Sequence, residues 1–265
     1  GASHHTIPGA FLLTFGASFG YAVGWNPYAS DYTRYFKPDT SKAAIAWWSG
    51  TGLFLSCAVL EIVGAAVGTA VSPDNALAGP GGMTGLLATP LADLTLLAIA
   101  LGAVSANVLN IYSGALSFTA IGIKLPLSMR RAIVALGFGT IGFFLAWHAL
   151  PNAGTQYENF LLIIAYWIAP WLAVYLCDLL LRKNPDETLL FDKRHANWAG
   201  PVAMLAGMGI SIWLFSNQTE YVGVVPAHVG DVGDLTFEVG FVITAVVYLT
   251  WHAIARTGRE NTLAA

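Results

Sequence analysis

The stretch Phe11-Leu12-Leu13-Thr14-Phe15-Gly16-Ala17-Ser18-Phe19-Gly20-Tyr21-Ala22-Val23-Gly24-Trp25-Asn26-Pro27-Tyr28-Ala29-Ser30-Asp31 decides the fold. It is apolar over about the 20 residues that carry a helix across hydrocarbon, and it contains its own interruption. Pro27 removes a backbone donor and restricts Asn26, so Gly24-Trp25-Asn26-Pro27 breaks the helix. A break inside a membrane exposes backbone polar groups, tolerated only where protein or a polar cavity satisfies them. Broken helices recur at the substrate and ion sites of secondary transporters. Phe19, Tyr21 and Trp25 would line such a cavity with flat faces, and packing is the competing role for each ring. Gly16, Gly20 and Gly24, four residues apart, form a smooth ridge suited to close helix packing.

The rest of the chain has the same character. Of 265 residues, 56% are hydrophobic and 10% charged, against about 25% charged in ordinary soluble domains. Mean hydropathy is +0.62. Such a composition excludes a soluble domain and disorder. With 12 Lys+Arg against 15 Asp+Glu there is no basic excess for nucleic acid. Seven stretches are long enough to cross: about 9–36, 43–70, 91–119, 132–150, 157–181, 199–217 and 237–255. Period-two alternation is absent, which argues against a barrel. The expected class is an all-α polytopic membrane protein, a single transmembrane domain over 1–265. Ser72–Pro90, too short to cross, would form a partly buried hairpin.

The cations set the orientation. Arg34, Lys37 and Lys42 follow the first span, and Lys124, Arg130 and Arg131 the third. Arg182, Lys183, Lys193 and Arg194 follow the fifth, and Arg256 and Arg259 the seventh. All 12 fall on one side. The opposite loops carry Asp74, Asp93, Glu158, Glu220, Asp231, Asp234 and Glu238. The positive-inside rule makes the cationic side cytoplasmic, with the N-terminus outside and the C-terminus inside. Gly1-Ala2-Ser3-His4-His5 lies close to a hydrophobic run with no start methionine or signal pattern, so a piece of a longer reading frame is expected.

Other intramembrane polar residues narrow the chemistry. Asn107 and Asn110 share a helix face, with Ser105 and Ser113 close by. They would either hydrogen-bond a neighbouring helix or turn a polar face to a cavity, small residues admitting a ligand or ion to the backbone. Glu61 is a carboxylate well inside a span, an ion ligand or proton carrier on one reading and a neutral or helix-bonded group on the other. Asp31 and Arg34 are spaced for a local ion pair. Pro170 would kink the fifth span, as a gate or as packing. Cys57 and Cys177 fit buried thiols better than a disulfide or a metal site. His148 and His252 fit interface positions. Asn217-Gln218-Thr219 matches a glycosylation sequon, a short match. No HExxH, P-loop or nucleophile elbow occurs, so enzyme readings lack a chemical centre.

At these residues a family resemblance emerges. Gly24-Trp25-Asn26-Pro27-Tyr28-Ala29-Ser30-Asp31-Tyr32-Thr33-Arg34-Tyr35 resembles the sixth-span signature of the nucleobase:cation symporter-1 family, in its purine–cytosine permease branch. Asn107-Val108-Leu109-Asn110-Ile111-Tyr112-Ser113-Gly114-Ala115-Leu116-Ser117 resembles the eighth span. Asn159 to Leu162 with Tyr166 to Trp171 resembles the tenth. The order and spacing match, and the resemblance covers most of the chain.

It implies a LeuT-type fold, in which these seven helices form the second inverted repeat plus two extra spans, five further spans preceding them. The implied activity is cation-coupled symport of a nucleobase such as cytosine or a purine across the plasma membrane by alternating access. Phe19 or Tyr21 would contact the base, beside Gly24 and Trp25 at the break, and Asn107 and Asn110 would read its edge. Ser105, with carbonyls from Gly102 to Ala106, would supply this span's share of a cation site. A single serine flanked by alanine leaves Na+ and H+ both open as the coupling ion. No other cofactor is implied. The partners are the substrate, the bilayer and the preceding spans. Competing readings are a LeuT-type transporter of another solute (allantoin or hydantoin, a vitamin, an amino acid) and a seven-span receptor.

Overall fold

The computed structural model describes residues 6–71, 82, 84–120, 125–182 and 197–264, and of 118–120 and 256–264 the backbone alone. Gly1–His5, most of Ser72–Pro90, Lys124, Lys183, Lys193 and Arg194, and the side chains of Arg256 and Arg259, lie outside that description. Among the described residues the regular elements are helical, and the sole extended pairing is an isolated bridge between Asn217 and Val222.

Helix α1 (Ile7–Val23) starts where Thr6 caps it, its hydroxyl accepting from the Gly9 N–H at 3.2 Å with Pro8 in the first turn. It stops at Gly24, and Asn26–Tyr28, holding Pro27, winds as a 3-10 turn before α2 (Ala29–Thr33). The interruption therefore falls on the cluster that foretold it. Next come α3 (Lys42–Ala70), capped by the Ser41 hydroxyl, and α4 (Thr89–Ala120).

From Leu127 to Leu181 the chain stays helical. Helix α5 (Leu127–Ile133) runs through a π turn (Val134–Phe138) into α6 (Gly139–Ala149). A 3-10 turn (Leu150–Asn152) holding Pro151 leads to α7 (Ala153–Leu181). The linker expected between 150 and 157 is thus itself helical. Then follow α8 (Ala199–Phe215), the short α9 (Val224–His228) and α10 (Thr236–Ala264).

Among the described residues, five stretches are long and apolar enough to cross a membrane: Ile7–Thr33, Lys42–Ala70, Thr89–Ser117, Leu127–Leu181 and Thr236–Ala255. Helix α8 is equally apolar but has 17 residues, a reach of about 26 Å. The protein is an all-α polytopic membrane protein.

The chain divides into two compact units, Gly1–Gly24 with Glu158–Ala265, and Trp25–Tyr157. The first has a packed interior. The glycine ridge of α1 lies against α7: a Cβ on Gly20 would sit 2.1 Å from the Leu161 carbonyl oxygen, and one on Gly16 3.0 Å from Leu162 Cδ2. These glycines have close approach as their reason. Phe19 stacks on Phe237 at 4.1 Å, beside buried Ala165 and Ala169. Helices α8 and α10 meet at Gly207, where a Cβ would lie 1.9 Å from Thr244 Oγ1 and 2.8 Å from the Gly240 carbonyl. Pro170 stays within α7 with its ring fully buried, and a Cβ on Gly240 would lie 3.2 Å from its Cγ; its role here is packing.

The second unit buries little of itself. Helix α3 has no buried residue. Its interior gathers around Ser113, Ala115 and Val134, where a Cβ on Gly114 would come within 2.8 Å of Val134 Cγ1. Cys57 is half-buried, unlike the buried Cys177, and both thiols are free.

Candidate functional site

The first candidate residues sit on α1 and at its break. The Phe19 ring has one face covered by Phe237. Tyr21, two residues on, is exposed on α1. Gly24 closes α1 with ordinary helical angles, its N–H donating to the Gly20 carbonyl at 3.1 Å. Trp25, the first residue of the second unit, is half-buried with its ring tilted 5.9 Å from that of Tyr28.

The remaining candidates lie on α4, also in the second unit. Asn110 donates its amide to Asn107 Oδ1 across a long 3.5 Å. Such a contact is weak. It orients the pair, leaving Asn107 Nδ2 and Asn110 Oδ1 unengaged among the described residues. The two exposed side chains together offer a donor beside an acceptor, the edge pattern a hydrogen-bonding heterocycle needs. Gly102 and Ser105 are exposed on the same helix, nothing lying within 4 Å of a Cβ built on Gly102, and Ala106 is half-buried. One and a half turns beyond Asn107, the Tyr112 hydroxyl bonds that of Tyr35, just past α2. The second unit thus joins the far side of the break to the polar helix through a tyrosine pair that the sequence did not single out.

The other residues singled out in the sequence are placed as follows. Asp31 and Arg34 do not pair; Arg34 lies 6.0 Å from the Tyr35 ring centroid, and an ion pair joins Arg182 to Asp178 at 2.8 Å. Glu61 is exposed on α3, without a hydrogen-bond or ion-pair partner among the described residues. The sequon fails as an acceptor because Asn217 is 1% exposed. His252 stacks 4.5 Å from Tyr248 and bonds its carbonyl. No group of metal-ligating side chains occurs among the described residues.

Two polar clusters in the first unit escaped the sequence reading. Asp234, placed with the outer acids, is 1% exposed. Its Oδ2 accepts from the Tyr166 hydroxyl and from the Asn217 N–H at 2.8 Å, and its Oδ1 from the Thr236 N–H at 2.9 Å. Burial raises its pKa above the ordinary aspartate value, against the opposite pull of these bonds. The local signal was Asp234-Leu235-Thr236, an aspartate two residues before a helix. The second cluster has Asp178 Oδ1 accepting from Tyr248 and Arg182, with Asn197 donating to the Tyr248 hydroxyl at 3.1 Å.

A broken first helix, an amide pair on α4 and helix packing built on glycine describe a polytopic membrane protein. The chain belongs to the family of permeases for cytosine/purines, uracil, thiamine and allantoin, whose model matches residues 3–240. It is 32% identical over 255 residues to the purine-cytosine permease fcyB of Emericella nidulans, covering 90% of this chain and 50% of that one. It is 28% identical to two purine-cytosine permeases of Saccharomyces cerevisiae, FCY21 and FCY2, covering 89% of this chain and 48% of each. The chain therefore spans about half the length of these curated relatives. No solved structure matches it.

Proposed function

We propose that this chain forms part of a secondary active transporter of nucleobases, cytosine or a purine, working by cation-coupled alternating access in the cytoplasmic membrane. The observation that carries the reading is the family match over 3–240, together with relatives named as purine-cytosine permeases. The geometry supports it in chemical terms. A nucleobase is flat and neutral and hydrogen-bonds at its edges. Aromatic faces and amides suit it, and no buried counter-charge is needed.

In this reading the chain supplies the second inverted repeat and two further spans of a LeuT-type fold. Preceding spans of the same polypeptide complete the site, as the half-length coverage of the relatives suggests. Tyr21 offers its exposed ring to the base, with Phe19, Gly24 and Trp25 shaping the break. Asn107 and Asn110 read the edge. Gly102, Ser105 and Ala106 contribute a hydroxyl and carbonyls to the coupling cation, Na+ or H+. The cationic side faces the cytoplasm, placing the N-terminus of this chain outside.

The test is uptake of labelled cytosine and hypoxanthine into cells expressing the complete reading frame, with and without a sodium gradient. Saturable uptake that unlabelled bases suppress is expected, and the gradient identifies the ion. A well-expressed protein that takes up neither base refutes the substrate assignment. The family description also includes thiamine and allantoin, so the same cells challenged with those solutes address the second reading, another solute on the same fold.

A further inference from the structure

Asp234 has no part in the transport reading, yet it is the most deeply buried carboxylate among the described side chains. It joins three segments of the first unit: Tyr166 on α7, the backbone after α8 at Asn217, and the start of α10 at Thr236. From α1 it receives no charge. The neighbouring Gly233 is wedged there instead, where a Cβ would lie 2.3 Å from the Gly9 carbonyl and 2.8 Å from Leu12 Cβ. The titratable groups around it are Tyr166 on α7 and Glu238 one turn along α10. Glu238 has a buried Oε2 with no hydrogen-bond partner. Glu220 and Tyr221 line the same cavity as Tyr166. None of these groups is a cation. Every contact on the carboxylate is therefore a neutral donor, and the nearest titratable carboxyl carries the same sign. A buried carboxylate in that setting is stabilised as an anion by hydrogen bonds alone, so a proton is the natural counter-ion.

Tyr166 also borders a cavity. Tyr166 faces two ways: its hydroxyl bonds Asp234, and it lines a cavity of about 320 Å³ with Trp167, Ile212, Ser216, Gln218 and Glu220. We infer that Asp234 is a proton-binding site, loaded from this cavity through Tyr166, which resets the contact joining α7 to the start of α10. In the loading step a hydronium in the cavity loses one O–H bond and the Oδ2–H bond forms, leaving neutral water. The new O–H points at the Tyr166 oxygen. Tyr166 changes from donor to acceptor, and its own O–H turns toward the cavity. The Asn217 and Thr236 N–H groups keep their carboxyl acceptors, so protonation switches one of three tethers and leaves two in place.

The inference does not depend on the transport assignment, and its test reads the carboxyl directly. Difference infrared spectra of the purified product of the complete reading frame would be taken from about pH 4 to about pH 8. The expected result is a distinct component of the protonated-carboxyl stretch that titrates above the ordinary aspartate range, lost in Asp234→Asn and retained in Glu238→Gln. In Tyr166→Phe the anion loses one donor, so the midpoint moves to higher pH. An unchanged stretch in Asp234→Asn, loss of that component in Glu238→Gln, or its absence from the wild type overturns the inference. Where Asp234→Asn does not fold, the Tyr166→Phe midpoint decides: an upward shift supports the site, and an unchanged midpoint overturns it.

Discussion

Glycines in the two units look alike in sequence and differ in what surrounds them. In the first unit a Cβ on Gly20 would reach 2.1 Å from a carbonyl oxygen of α7, and one on Gly207 would reach 1.9 Å from Thr244. In the second, Gly114 packs on Val134, but Gly50, Gly52, Gly64, Gly68, Gly102, Gly137, Gly139 and Gly142 meet nothing within 4 Å, as do Gly209 and Gly230 of the first. Small residues in one unit let helices touch, because lipid gives apolar faces no reason to associate and close packing must do it. In the other most of them leave smooth open surface, Gly102 on the helix that carries the amide pair. The first unit is built around its own interior, and the second presents its chemistry outward.

The sharpest way to break the comparison is a matched pair of substitutions. Gly20→Ala pushes a methyl group into the α7 backbone and should cost about 2–3 kcal/mol, seen as a lower melting temperature and less protein in the membrane. Gly102→Ala should leave stability within about 1 kcal/mol, since alanine favours a helix and finds open space. Equal losses of folded protein from both would erase the distinction.

A smaller effect tests the clamp at the other end of α7. Tyr248→Phe removes the hydroxyl that bonds Asp178 and receives Asn197, and should lower stability by about 1–2 kcal/mol. Asp178 keeps Arg182, so the loss stays moderate. Smallest is a slope with pH. Because burial raises the Asp234 pKa in the folded state, its contribution to stability is complete below the unfolded value of about 3.9 and is lost as pH rises through the folded value. Wild type should melt progressively lower across that window, and Asp234→Asn should flatten the trend.

Much of the fold was legible because its determinants are local. Pro27 with Gly24 and Asn26 interrupts α1, whereas Pro170 alone leaves α7 unbroken, and the ridge of Gly16, Gly20 and Gly24 marks close contact before its partner is known. The amide pair was legible because a three-residue spacing fixes a shared face. What the sequence hid is long-range. Asp234 looks like a loop acid until Tyr166, 68 residues earlier, and Asn217, 17 residues earlier, enclose it. Phe19 fits a cavity ring or a packing ring from sequence alone, and its stacking partner, Phe237, lies on the last helix. The Tyr35–Tyr112 pair spans 77 residues and has no periodic signature.

The most direct test of the account is labelled cytosine uptake per molecule at the cell surface, comparing wild type, Asn107→Ala and Gly20→Ala of the complete reading frame. Asn107→Ala should reach the surface in normal amount with uptake reduced about 10- to 100-fold, the cost of one edge hydrogen bond. Gly20→Ala should lose surface protein instead. Wild-type uptake per molecule by Asn107→Ala would contradict the claim that the amide pair on α4 reads the base.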